Sequence, residues 1–113
     1  MIEKIILDYL NENASAPAYM QRPEKKPNGA YILLEKTGSS RTNYIMSSTF
    51  AVQSYAPTLY EAAELNEEIK GLLLDIILEL DEITSADLNS DYNYTNTADK
   101  QPRYQTVIEF THY

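Results

Sequence analysis

The sequence has no cysteine and no tryptophan, a single histidine, and about half as many basic as acidic residues. The missing cysteine excludes disulfide frameworks, thiolate metal sites, iron–sulfur clusters and a cysteine nucleophile. The lone histidine, His112, leaves no partner for a histidine-rich metal site and makes a Ser-His-Asp relay a poor expectation. The shortage of lysine and arginine, 9 against 17 acids for a net charge of −8, speaks against non-specific nucleic-acid binding, which works by neutralising phosphates. Long apolar runs are absent as well. The most apolar stretch, 72–78, is interrupted by Asp75, and about 20 apolar residues are needed to span a bilayer. The start, Met1-Ile-Glu-Lys-Ile-Ile-Leu-Asp8, has neither the basic opening nor the unbroken apolar core of a secretory signal. A soluble protein made in a reducing cytoplasm is the expectation.

What is present fits one domain over residues 1–113, long enough for one real core. Ile2, Ile5, Ile6, Tyr9 and Leu10 have the spacing of a short amphipathic helix, ended by Asn13, Ser15 and Pro17. A short extended piece at 18–20 leads into a loop over 22–29, with two prolines, a glycine and three bases. Residues 30–36 read as a strand, 37–41 as a turn, and 43–55 as a second strand completing a hairpin. In that second strand Tyr44, Met46, Phe50 and Val52 face one way, and Ser47, Thr49 and Gln53 the other.

The strongest local signal is Thr58-Leu-Tyr-Glu61, a capping box. Behind it Ala62, Leu65, Ile69, Leu72, Leu73, Ile76, Ile77 and Leu80 recur on one helical face. Gly71, inside this helix, is expected to allow close packing over the strands. Eight acids against Lys70 alone lie between 61 and 82, so nearly all the excess negative charge belongs to this helix and its exit. In 83–94 Ala86, Leu88, Tyr92 and Tyr94 alternate with Asp87, Asn89, Asp91 and Asn93. A polar loop spans 95–102. In the last strand Tyr104, Thr106, Ile108 and Phe110 alternate with Gln105, Val107 and Glu109. The order α–β–β–β–α–β–β predicts an α+β fold, a mainly antiparallel sheet packed against one long and one short helix.

Asp87, Asn89 and Asp91 imitate the start of a calcium loop, but Tyr92 stands where glycine is needed and Ala98 where glutamate is needed. The solvated face of a strand explains them. The helix acids lie on its polar side, where water solvates them, rather than converging as acid–base chemistry requires. No catalytic residue, metal ligand or cofactor is therefore expected, and the chain reads as a non-enzyme. Ten tyrosines supply most of the aromatic surface. Several must be core, and Tyr92, Tyr94 and Tyr113 are the candidates for an interface. The bases cluster in loops: Arg22, Lys25 and Lys26 in one, Arg41 in another, Lys100 and Arg103 in a third. An acidic helical side and basic loops can meet head to tail in neighbouring copies, and such contacts close into rings.

The chain resembles the small tail-completion and tail-terminator proteins of long-tailed bacteriophages, also classed as minor tail or minor capsid components. The resemblance rests on a short N-terminal helix followed by Tyr19-Met-Gln-Arg-Pro23, on Tyr31-Ile-Leu-Leu-Glu-Lys-Thr-Gly38, and on Phe50-Ala-Val-Gln-Ser-Tyr-Ala56 running into Tyr60-Glu-Ala-Ala63. Ser90-Asp-Tyr-Asn-Tyr94 and Arg103-Tyr-Gln-Thr-Val107 complete it. None of these phrases is a catalytic signature. The resemblance implies a sheet with helices on it, assembled as a six-fold ring in the virion neck. Such a ring stops tail-tube growth and meets the head-completion or connector proteins. It implies no cofactor and no chemistry; with the charge and the apolar runs as they are, no nucleic-acid specificity and no membrane are expected, and the protein is expected to assemble in the host cytoplasm. The alternative is an acidic inhibitor that mimics DNA, or another small protein-binding adaptor. Eight acids on about 34 Å of helix are sparser than DNA's charge of one per roughly 1.7 Å.

Overall fold

The computed structural model describes residues 1–23, 29–42, 44–95 and 101–112. The elements are α1 (Ile2–Asn13), β1 (Ala18–Tyr19), β2 (Tyr31–Thr42), β3 (Ile45–Tyr55), α2 (Leu59–Glu79), β4 (Ile83–Asn93) and β5 (Arg103–His112). The strands form one five-stranded sheet in the order β1-β2-β3-β5-β4. β1 is parallel to β2 and every other pairing is antiparallel. This is the expected α+β architecture. The α2 crossover joins β3 to β4 but leaves a gap one strand wide, which β5 fills.

Both helices bury their apolar stripes in one core against the same face of the sheet. Ile6 and Leu10 from α1 meet Ile69, Leu73 and Ile76 from α2, over Ile32, Leu34, Phe50, Val52, Ile108 and Phe110 from the strands. The Phe50 and Phe110 rings pack edge to face, 5.8 Å apart. Thr58 caps α2 as the capping box requires, its hydroxyl accepting from the Glu61 amide at 3.2 Å. Side chains finish what the backbone leaves open at the exit of α1. Asn11 bonds Ala18 in both directions, in place of a neighbouring strand. The Glu68 carboxylate accepts from both the amide and the hydroxyl of Ser15, at 2.7 and 2.6 Å, fixing that exit to α2. Tyr9 reaches α2 by donating to the Leu72 carbonyl; burial pushes its phenol up, and Glu79 and Asp75 push the same way.

Four local expectations are corrected. The hairpin does not turn at 37–41: β2 continues to Thr42 past a bulge between Lys36 and Gly38, and Tyr44, with φ of 70°, lies at the tip. Ile77 is 43% exposed, while Asn66, a polar residue, is buried in its stead on the helix face. Gly71 permits no close approach, because nothing lies within 4 Å of where its Cβ would stand. Gly71→Ala is therefore expected to stabilise the protein by about 0.5–1 kcal/mol, read as a higher urea midpoint at unchanged m-value; a lower midpoint would contradict the open space.

The fourth correction concerns β4. A register shift between Leu88 and Ser90 leaves Asn89 without a partner on β5, and the extra residue reverses the alternation. Before it, Ala86 and Leu88 stand beside Phe110 and Ile108 on the helix face. Beyond it, Asp91 stands beside Thr106 on that face and Tyr92 beside Gln105 on the other. Asp87 and Asp91 thus point to opposite sides, so they cannot share a calcium ion. Among the described residues no helix is long and apolar enough to cross a membrane.

Candidate functional site

The sheet face turned away from the helices carries two cross-strand rows. Leu33, Gln53, Gln105 and Tyr92 are direct neighbours across β2, β3, β5 and β4. Two residues along, Tyr31, Tyr55 and Arg103 are neighbours in the same way, and Tyr94 joins them by donating its amide to the Arg103 carbonyl. Direct neighbours in such rows stand close enough to bond, and these do. Tyr55 donates to Gln53 at 2.8 Å, Gln53 to Gln105 at 2.9 Å, and Gln105 to the Tyr92 hydroxyl at 2.6 Å. Tyr31 stacks on Tyr55 with ring centres 4.6 Å apart and planes 2° from parallel.

Arg103 occupies the middle of this face. Its Nη1 donates to the Tyr55 hydroxyl at 2.8 Å and its Nε to the Tyr94 carbonyl, and its guanidinium lies over the rings of Tyr55 and Tyr94. Arg22 reaches the same Tyr55 hydroxyl with its Nη2 at 3.2 Å. Gln53, Arg103 and Gln105 are each more than nine-tenths buried, whereas Tyr92 and Tyr94 are each 42% exposed and set edge to face. Burial pushes the Tyr31 phenol up, against the pull of its bond from Gln101 and of the two guanidinium groups. The arrangement is a hydrogen-bonded polar and aromatic surface with a cationic centre.

Of the residues marked as interface candidates, the structure brings together Arg22, Tyr92, Tyr94 and Arg103. Arg103, expected in a loop, is the first residue of β5 and 9% exposed. Arg41 is separate, at the far end of β2, about 35 Å along the strand, with its guanidinium over the Tyr44 ring at 5.5 Å. Lys25, Lys26, Lys100 and Tyr113 lie outside the described residues. Sequence reasoning missed Tyr31, Gln53, Tyr55 and Gln105 as members of the site. The available signal was a polar or aromatic pair two residues apart on β3, on β5 and at the end of β4: Gln53 with Tyr55, Arg103 with Gln105, and Tyr92 with Tyr94 just past the strand.

On the helix face a second polar cluster serves packing. Buried Asn66 accepts from Thr106 at 2.7 Å and donates to Asp91 at 3.1 Å. Lys70 bridges Glu67 and Asp91, and those two carboxylates, Glu67 first, push its ammonium up. His112, 4% exposed, shares a 2.8 Å hydrogen bond with buried Ser48. Beside it a cleft of about 270 Å³ is lined by Met1, Ile2, Ile5 and Met46 and crossed by the Glu3–Lys36 ion pair. The backbone hydrogen bond at the start of α1, aided by Lys36, holds the Glu3 carboxyl below its usual range. Among the described residues no three histidine or carboxylate side chains are grouped to hold a metal ion. No protein-family model matches the chain, and curated proteins gave no significant match.

Proposed function

We propose that this chain is a structural subunit of a long-tailed bacteriophage virion, one copy of a ring in the neck that ends the tail tube, joins tail to head, or does both. The reading starts from the resemblance in sequence. One structural observation carries it further: the sheet has two open edges on opposite sides. Among the described residues β1 covers β2 only at Ile32 and Leu33, so β2 has no described partner on its outer side over 34–42, and β4 has none along its outer side. Unpaired edges are templates for another strand. Two different edges meeting head to tail give a heterologous contact, which closes into a ring when the rotation allows. The edges also differ in charge. On β4 Asp91 is already bridged to Lys70, which leaves Asp87 as the acid on that edge; on the open part of β2 Lys36 is already bridged to Glu3, which leaves Arg41 beyond Glu35. That difference favours β4 on β2 and disfavours each edge on itself. The function needs no chemistry, and its other partners are tail-tube and head-completion or connector proteins.

The test is the light-scattering mass over a concentration series, for the wild type and for Asp87→Lys. The wild type should reach a closed species of fixed mass, a hexamer by the resemblance. Asp87 lies opposite Glu109 on β5, so lysine there relieves a like-charge pair and should leave the fold intact or gain a few tenths of a kcal/mol. The same change spoils the charge match between edges and should move assembly to severalfold higher concentration. A wild type that stays monomeric throughout defeats spontaneous ring closure. A variant that assembles as readily as the wild type removes β4 from the contact.

A further inference from the structure

Two guanidinium groups meet at one hydroxyl. Arg103 Nη1 and Arg22 Nη2 donate to Tyr55 Oη at 2.8 and 3.2 Å, and Tyr55 passes its own proton to Gln53 Oε1 at 2.8 Å. A phenol has one proton to give and two lone pairs to accept with, so the hydroxyl is saturated. It acts as a brace that aims both arginines. Arg103 is more than nine-tenths buried, yet everything it touches is neutral: the Tyr55 hydroxyl, the Tyr94 carbonyl and two ring faces, 5.6 and 4.7 Å from its Cζ. Among the described residues no carboxylate lies within 4 Å of it, and its Nη2 has no acceptor.

A buried charge without a counter-ion is costly, and cation–π contacts return only part of that cost. An anion on the Nη2 side of Arg103 relieves that cost. Arginine's planar fork matches the paired oxygens of a carboxylate or phosphate. Tyr94 beside Arg103 is 42% exposed and Arg22 stands at the surface, so this side of the guanidinium faces outward.

We infer that Arg103 and Arg22, braced by Tyr55 and walled by Tyr94, form an oxyanion site that takes a carboxylate or phosphate group. The site goes beyond ring assembly and does not depend on it. Its ligand has two possible sources, an acidic side chain of a second copy or free phosphate.

The probe is the Arg103 Nε–Hε resonance in NMR spectra of the whole chain. It is followed while chloride is replaced by acetate, or by inorganic phosphate, at constant ionic strength. A saturable shift is expected, and Arg22→Gln, a change at a surface residue that leaves the buried arginine in place, should weaken it about tenfold. If the ligand is a carboxylate of another copy, raising the protein concentration alone moves the same resonance and acetate reverses the effect. If it is phosphate, protein concentration has no effect and phosphate saturates below acetate. A resolved Arg103 resonance that neither anion moves overturns the site. A strict monomer that still binds phosphate would defeat ring closure and keep the site, so the two failures are distinguishable.

Discussion

Replacing Phe50 with alanine is expected to destabilise the protein by about 3–5 kcal/mol, a large share of the roughly 5–15 kcal/mol that holds a typical domain together. Phe50 has no exposed surface, and its ring meets Phe110 from β5 edge to face under both helices. The neighbours that line the gap, among them Leu34, Val52 and Ile108, are anchored in the sheet and cannot collapse far into it. Urea unfolding of F50A and F110A, with the double variant, measures both the cavity and the pair. The pair should be worth about 0.5–1.5 kcal/mol beyond the singles. A loss below about 1 kcal/mol for F50A would mean that the core is not centred on this pair.

Tyr55→Phe should cost about 2–4 kcal/mol although it removes a single oxygen. The ring stays, and with it the stack on Tyr31. What goes is the hydroxyl that accepts from Arg103 and Arg22 and donates to Gln53. Gln53 Oε1 and Arg103 Nη1 then remain in the protein without a partner, and one of them carries charge. Tyr31→Phe is the matched control. It keeps the same stack and loses one 3.4 Å bond from Gln101, so about 1 kcal/mol or less is expected. Equal losses for the two variants would place the energy in the stacked rings and not in the hydroxyl network. Circular dichroism in the tyrosine region checks that the stack survives in both.

The fold class was legible because its signals are local. A threonine three residues ahead of a glutamate starts α2, and the two-residue alternation of 104–110 faces the observed sides along β5. What escaped were departures from a fixed period. One unpaired residue, Asn89, reverses the faces of β4, and no count of polar and apolar residues registers an insertion whose evidence is the register with another strand. The hairpin tip was misplaced because Gly38 and two serines look like a turn, whereas Gly38 sits beside a bulge. Ile77 was assigned to the core by helical phase, but the buried position went to Asn66, whose partners Thr106 and Asp91 come from two later strands. The site was legible only as an inventory. Arg22, Tyr92, Tyr94 and Arg103 stood out by type, yet Tyr55, the oxygen that gathers them, is recognisable only once β2, β3, β5 and β4 lie side by side.

The strand that comes latest in the chain is the one between β3 and β4. During synthesis, β2 and β3 can close their hairpin and α2 can form on its own cap, but β4 has no hydrogen-bonding neighbour until residues 103–112 have been made. Successive residues of β5 bond alternately to β3 and to β4, and the farthest pairing joins Met46 to His112. Contacts of that range make folding slow. The nascent chain therefore passes through a stage in which the outer side of β3 and all of β4 are unprotected, and misassociation is most dangerous then. A stop codon placed before position 103 would remove the shared partner of two strands and not merely shorten the sheet by one.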